Sequence, residues 1–161
     1  MKLDFLKQFI KQTKTDSLKT KDYPKEFLDL KMKVSFGQGA LARVPWVALR
    51  APDMPVSNGY NPVYLFYKKQ GILVLSYGIS ETHIPEKSWE PSIHETKTRI
   101  DAFIDNPARY GDSYVHKYYE PRIEGEEVNF YRDNVKVSEE LIFNELLAVS
   151  YTHLTLPTSP K

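Results

Sequence analysis

The sequence predicts a single α+β domain with a curved, mostly antiparallel sheet flanked by helices. Several segments alternate apolar and polar residues with the period of a half-buried strand, and neighbouring strand segments are joined by turn residues instead of helices. Other segments repeat their apolar residues at helical spacing. A chain of 161 residues with 41% hydrophobic and 27% charged residues has the composition of one soluble globular domain.

The first half of the chain predicts one helix and two strands. Residues 2–13 place apolar side chains at helical spacing with lysines on the outside, and Pro24 ends the polar link after this helix. Residues 28–36 alternate as a strand with one buried face, and a short strand is expected at 44–49. Residues 53–61 contain proline, asparagine and glycine in the proportions of a surface loop.

A hairpin is predicted in the middle of the chain. Two β-rich runs, 63–67 and 72–77, are separated by the sequence KKQG, in which Gly71 can adopt a positive φ. Both runs are apolar at most positions. We therefore expect this hairpin to lie at the centre of the sheet.

The second half is predicted to hold fewer regular elements. Residues 81–95 look irregular, and residues 96–104 are expected to form a short helix that stops before an asparagine and a proline. A further strand is predicted at 114–119. Residues 137–147 are predicted to form the final helix, with Ser138 as its N-cap.

The end of the sequence differs in character from the rest. The stretch VSYTHLTLPT, at 149–158, shows neither helical nor strand periodicity and resembles the translation of a sequencing-library adapter. We therefore expect a native domain at residues 1–148 and a non-native tail at 149–161, with the natural chain continuing beyond about Ala148.

Charge and cysteine content limit the functional classes. The absence of cysteine excludes disulfides, thiolate metal sites and a cysteine nucleophile, and it fits a cytoplasmic protein. No apolar run is long enough for a membrane span, and no signal peptide is recognisable. The formal charge of +1 is low for a protein that coats nucleic acid, so any DNA binding must rest on a local patch. Residues 1–25, with seven lysines and three aspartates, offer one such patch or a solvated helix face.

Nucleotide-binding motifs do not fit their context. The stretch GQGALA matches a dinucleotide fingerprint through Gly37, Gly39 and Ala42. That fingerprint requires a following helix to receive the pyrophosphate, whereas Pro45 and a strand pattern follow here. No Gly-Lys-Ser/Thr phosphate-binding loop occurs in the chain.

Residues for catalysis or metal binding form no convincing motif. His83, Glu86, His94 and Glu95 are the one metal-like cluster in the sequence, but their spacing is not that of helical ligands and prolines separate them. No nucleophile elbow and no nuclease-like carboxylate pattern is present. We therefore expect no catalytic residue, no metal and no cofactor in this segment.

Aromatic residues make up 13% of the chain, and several lie beside glycines where strands end. Most aromatic side chains of a small domain belong to its core. Alternatively, some of them line a pocket in which a planar ligand such as a base stacks.

Five segments, taken together and in order, resemble one family. The segments are KDYP at 21–24, KVSFGQGALARVPW at 33–46, SNGYNPVYLFYKK at 57–69, LVLSYGISET at 73–82 and RYGDSYV at 109–115. They resemble the N-terminal DNA-binding domain of McrB, the GTPase subunit of the modified-cytosine-dependent restriction enzyme McrBC. The resemblance covers roughly residues 20–118.

The resemblance implies particular site residues. Trp46, Leu65 and Tyr110 correspond to the walls of a pocket that receives a flipped modified cytosine, and Asn61 stands where a relative has a further pocket tyrosine. The loop that enters the duplex corresponds to Gly37, Gln38 and Gly39, with Gln38 in place of a tyrosine. For contacts with DNA phosphates the candidates are Lys31, Lys33, Asn58 and the N-terminal lysines, although each of these also fits a solvated surface.

The resemblance also implies a function and partners. The fragment would recognise 5-methylcytosine or hydroxymethylcytosine in double-stranded DNA by base flipping, without enzymatic activity of its own. The parent protein would bind GTP and Mg, assemble with itself through a GTPase domain after residue 148, and act with a separate nuclease subunit. Two alternatives stay open: a reader of another modified base or of RNA, and a protein-interaction domain that binds no nucleic acid.

Overall fold

A computed structural model describes residues 3–52, 60–79, 89 and 91–155. Within these residues there are four helices and eight strands, and the strands form one sheet. Each strand pairs antiparallel with the next strand along the chain. The predicted α+β class with an antiparallel sheet is therefore confirmed.

The strands form a simple meander. The strands are β1 (Glu26–Phe27), β2 (Leu30–Ser35), β3 (Trp46–Arg50), β4 (Tyr60–Tyr67), β5 (Ile72–Ile79), β6 (Tyr114–Glu124), β7 (Glu127–Arg132) and β8 (Val135–Val137), and the helices are α1 (Asp4–Gln12), α2 (Pro91–Thr96), α3 (Ile100–Phe103) and α4 (Glu139–Thr155). Because spatial order follows chain order, β4 and β5 lie in the middle of the sheet. Gly71 in their turn has a φ of 71°, so the predicted central hairpin is confirmed.

The sheet buries apolar residues on both of its faces. On one face, Tyr64 and Phe66 of β4 join a large core that includes the apolar sides of α1 and α4. On the other face, Val63, Leu65 and Tyr67 of the same strand join a smaller cluster with residues of α3. Alternating side chains of one strand therefore serve two separate clusters. We call the face with the smaller cluster the open face.

Several predicted elements were misplaced. Residues 91–95, predicted to be irregular, belong to α2, and the predicted helix at 96–104 is reduced to α3 because residues 97–99 are not helical. A hydrogen bond from the Val115 amide to the Thr98 carbonyl and a bridge between Arg99 and Tyr114 hold this segment extended along β6. No element was predicted at 120–136, where the structure has the end of β6, all of β7 and most of β8.

The final helix is longer than its sequence indicates. Ser138 caps it as predicted, with its hydroxyl accepting a hydrogen bond from the Leu141 amide at 3.1 Å. The helix continues to Thr155, and Val149 and Ser150 are buried. The prediction that residues 149–155 lack helical structure is therefore wrong, while their non-native origin stays a prediction. No helix among the described residues is long and apolar enough to span a membrane.

A buried carboxylate ties α4 to the sheet. Glu145, 8% exposed, accepts hydrogen bonds from the Tyr119 hydroxyl at 2.6 Å and from both terminal nitrogens of Arg132 at 3.0 Å. Burial alone would raise the pKa of this carboxyl, but the bonds from Arg132 and Tyr119 outweigh burial and lower it. The ion pair is therefore retained at neutral pH.

A second link to α4 requires a neutral histidine. The Glu145 carbonyl can only accept, so His116 Nε2 donates to it at 3.1 Å, and Nδ1 accepts from the Tyr77 hydroxyl at 3.2 Å. Burial, with help from the charges of Lys97 and Lys117, lowers the pKa of His116 to about 4.

This histidine predicts a loss of stability in mild acid. Between about pH 6.5 and 4 the unfolded chain gains a proton on His116 that the folded protein does not, so the free energy of unfolding should fall, on the order of 3 kcal/mol in total. Urea unfolding at several pH values measures it. His116→Gln should flatten this part of the curve. Equal curves for the wild type and His116→Gln would contradict the assignment.

Candidate functional site

Two of the predicted pocket residues are neighbours on the open face. Trp46 is the first residue of β3 and pairs directly with Leu65 of β4. Directly opposed residues of antiparallel strands hold their Cβ atoms about 5 Å apart. Leu65 is 1% exposed, whereas Trp46 is only partly buried against the same cluster. Leu65 thus forms a rigid floor beside the indole ring.

Tyr110 reaches the same cluster from a turn before β6. Its backbone lies in the left-handed region, with a φ of 66°, which is unusual for a bulky residue. Its carbonyl accepts the Ser113 amide at 3.1 Å, and the neighbouring Arg109 carbonyl accepts the Tyr67 hydroxyl at 2.9 Å. The Arg109 guanidinium lies 4.8 Å from the centre of the Tyr110 ring. These contacts hold the ring in the open-face cluster despite the backbone strain.

The predicted inserting loop projects beside this cluster. It leaves β2 after Ser35, whose hydroxyl accepts the Gly37 amide at 3.2 Å, and it is closed by a bond from the Ala42 amide to the Phe36 carbonyl at 2.8 Å. Gly37 and Gly39 have φ values of 116° and 74°, and Gln38 between them is exposed. We call residues 36–42 the finger loop.

Asn61 lies on the open face but away from the other three residues. It pairs with Gly78 and is four residues from Leu65 along β4, a separation of about 13 Å. Its side-chain amide donates to the Pro62 carbonyl at 3.0 Å. The structure therefore brings Trp46, Leu65 and Tyr110 together and leaves Asn61 nearer the opposite end of the face.

The predicted phosphate contacts are divided between locations. Lys31 and Lys33 alternate with the core residues of β2 and so belong to the open face, where Lys31 is paired with Glu26 at 2.8 Å. Asn58 lies outside the described residues. Among the N-terminal lysines, Lys7 lies on α1, which packs on the opposite face, and it pairs there with Glu139 at 2.6 Å. Lys33 is thus the predicted phosphate contact that is best placed.

A groove that the sequence did not predict lies beside the finger loop. It has a volume of about 340 Å³ and opens between that loop, the β4–β5 turn and the segment before Tyr110. Ten residues line it: Leu41, Ala42, Arg43, Val44, Tyr67, Lys68, Lys69, Gln70, Asn106 and Ala108. Its cations were missed because KKQG was interpreted solely as a turn, and Arg43 solely as part of a loop.

The described residues offer no metal site. No group of three or more histidine, aspartate or glutamate side chains lies close enough among them to hold an ion. His94 and Glu95 are exposed on α2, whereas His83 and Glu86 lie outside the described residues. What the open face offers to a ligand is the apolar cluster around Trp46 and Leu65 and the cations of the groove.

The similarity to known proteins concerns the part of the chain that contains this site. A family model described as "MrcB-like, N-terminal domain" matches residues 2–121. The chain belongs to this family. The MrcB-like domain is also 39% identical, over 116 residues, to the Type IV methyl-directed restriction enzyme EcoKMcrB subunit of Escherichia coli (strain K12). The match covers 71% of this chain and 25% of that protein, so the chain spans about a quarter of the relative's length. The predicted family is confirmed.

The two glycines of the finger loop predict unequal effects on stability in the MrcB-like domain. A Cβ on Gly37 would lie 2.1 Å from the Ala40 carbonyl oxygen and 2.6 Å from the Ala42 nitrogen, whereas one on Gly39 would meet no atom within 4 Å. Gly39→Ala should cost about 1 to 2 kcal/mol, the left-handed backbone penalty. Gly37→Ala adds a backbone clash and should cost more. Urea denaturation measures both variants, and equal costs would contradict this loop geometry.

Proposed function

We propose that this chain recognises a modified cytosine, 5-methylcytosine or hydroxymethylcytosine, in duplex DNA by base flipping. The observation that carries the proposal is that a partly buried tryptophan and a strained tyrosine pack in one cluster on a sheet face, and that the loop leading to this tryptophan contains two glycines with positive φ. Membership of the MrcB-like family and the similarity to a subunit of a methyl-directed restriction enzyme support it. A base taken out of the duplex requires such a pocket and a side chain that fills the vacated space.

The pocket walls supply stacking. Trp46 makes no ring contact with another described aromatic residue, so its indole is not already stacked within the part of the chain that the structure describes. Stacking of a base on an aromatic ring contributes about 1 to 3 kcal/mol. Extruding a base costs a few kcal/mol. Trp46 and Tyr110 together would offset much of that cost.

The finger loop supplies the side chain that replaces the flipped base in the duplex. Gln38 would occupy the space that the flipped base leaves and hydrogen-bond the orphan guanine, which displays donors and acceptors on its pairing edge. Glutamine cannot stack between the neighbouring base pairs as a ring does. The loop's contribution therefore comes from hydrogen bonds and from the close approach that Gly37 and Gly39 allow.

The proposal limits what the chain does alone. It binds DNA without cutting it, while GTP and Mg binding, self-assembly and a separate nuclease subunit belong to the longer parent protein. Recognition of the methyl group is weak by itself, because burying one such group contributes about 0.8 kcal/mol, a factor of about four. A stronger preference requires a cavity that unmodified cytosine fills badly.

Loss of the indole predicts loss of base recognition. Trp46→Ala should weaken binding to a duplex with one methylcytosine about 5- to 150-fold, which corresponds to 1 to 3 kcal/mol of stacking. It should also remove the preference over the matched cytosine duplex. Fluorescence anisotropy at two salt concentrations measures both effects, and thermal denaturation checks the fold.

Tyr131→Ala is the matched control, since this ring lies on β7, outside the open-face cluster, against Arg122. It should bind as the wild type does. Equal binding of all duplexes by the wild type would refute base reading, and no binding at all would favour a protein-interaction domain. Tighter binding to methyladenine or RNA would favour the other alternative.

The finger loop predicts a separate effect. Gln38→Ala should weaken binding to the methylcytosine duplex but should matter little when an abasic site replaces the guanine opposite the modified base, because the hydrogen-bonding partner is then absent. Gln38→Tyr should bind the guanine-containing duplex at least as tightly as the wild type, since a ring restores stacking. Equal losses for Gln38→Ala on both duplexes would show that Gln38 does not contact the orphan guanine.

A further inference from the structure

The groove beside the finger loop is adjacent to the proposed base pocket. Val44 in its wall is two residues before Trp46, and Tyr67 is two residues after Leu65, so the groove continues the same sheet face toward the end where the finger loop projects. Two residues of strand span about 7 Å. Two stacked nucleotides cover a similar axial length, at 3.4 Å each.

The rim of the groove carries uncompensated positive charge. Arg43, Lys68 and Lys69 line it, no acidic residue does, and none of the three forms an ion pair within the described residues. Other cations of the described sheet do have partners: Lys31 is paired with Glu26, and Arg132 with Glu145. A group of unpaired cations from two separate loops is typical of a surface that meets an anion.

The bed of the groove is apolar. Val44 and Tyr67 are 2% exposed and form its base, while Leu41, 45% exposed, stands at its side. The only hydroxyl among the described lining residues, that of Tyr67, already donates to the Arg109 carbonyl. An apolar base under a cationic rim is complementary to the DNA backbone. The apolar ring carbons of deoxyribose would pack on the base of the groove, and the anionic phosphodiesters would lie at the rim.

We propose that this groove binds the sugar-phosphate backbone of the DNA strand one or two nucleotides from the flipped base, with Arg43, Lys68 and Lys69 contacting its phosphates. The inference rests on the proposed function, because the flipped base defines which nucleotides of the strand lie at the groove. The groove adds a binding surface that the base pocket does not require. Held on the groove, the backbone beside the extruded nucleotide is fixed at the protein surface. Because phosphate contacts carry no sequence information, the groove raises affinity for modified and unmodified duplexes alike.

The test is a charge-neutralised variant of the whole chain, Arg43→Gln with Lys68→Gln and Lys69→Gln. The slope of log K against log salt concentration for duplex DNA should become less steep by up to about 2.7, since each lost phosphate contact removes about 0.9. The preference for the methylcytosine duplex should be unchanged.

The matched control removes the same charge elsewhere, with Lys7→Gln, Lys117→Gln and Lys136→Gln beside α1 and α4. Its slope should stay near that of the wild type. Equal slope changes in the two triple variants would overturn the proposal, because net charge alone would then explain them. All six side chains are at least partly exposed, and thermal denaturation verifies that both variants fold.

Neutral methylphosphonate linkages locate the contact. A single such linkage one or two nucleotides from the modified cytosine should weaken the wild type and leave the groove variant unaffected, whereas a linkage six nucleotides away should affect both equally. If the wild type prefers the modified duplex and the groove variant keeps the full salt-dependence slope, the groove proposal is refuted and the base-pocket proposal is supported. If binding shows no preference but the salt-dependence slope falls only in the groove variant, base reading is refuted and the groove proposal is supported. No DNA binding at all overturns both.

Discussion

The double burial of the β4–β5 hairpin is the constraint on which the rest of the structure depends. On one side Tyr64 and Phe66 hold α1 and α4 against the sheet, and on the other side Val63, Leu65 and Tyr67 support the open face. A shift of β4 by one residue would exchange these two sets, so its register is strongly fixed. The pairing of Leu65 with Trp46 follows from that register. The position of the proposed pocket is therefore a consequence of core packing.

The parts of the site share one end of the sheet. The finger loop leaves β2 there, the β4–β5 turn lies beside it, and the Tyr67 hydroxyl fixes the segment that leads to Tyr110. None of these three connections is helical, so each can present side chains at the surface while the strands behind it stay rigid. The backbone strain at Tyr110 fits this contrast between loops and rigid strands, because the hydrogen bonds around Tyr110 come from buried residues. Loops present the proposed contacts, and the hairpin positions the loops.

The sequence was most informative where a local pattern also decides the tertiary position. Two β-rich, mostly apolar runs predicted the central hairpin, and the KKQG turn with its positive φ at Gly71 needed no long-range information. The hairpin that follows β6 was missed, although Asp133 and Asn134, both with positive φ, form the kind of turn that joins two strands. The extension of α4 was missed because its apolar residues lack clear helical spacing and its burial depends on the sheet. Trp46, Leu65 and Tyr110 were predicted through the family resemblance, and the structure places them in one cluster. The cationic groove was missed because it exists only once two distant loops are adjacent.

With separate surfaces for the base and the backbone, the backbone surface would set the affinity for DNA and the base pocket would set the specificity. If Arg43, Lys68 and Lys69 contact phosphates as proposed, these contacts would act on every DNA sequence equally, and they would increase residence on DNA without discriminating among cytosines. Discrimination must then arise where the base lies, and one methyl group contributes only about 0.8 kcal/mol to it. Leu65 is buried and fixed by strand pairing, so in the proposed pocket it would not move to fill the space that an unmodified cytosine would leave. A rigid floor would turn a missing methyl into an unfilled void, which costs more than the transfer of the methyl alone. The same double burial that stabilises the domain would in this way sharpen its choice of base.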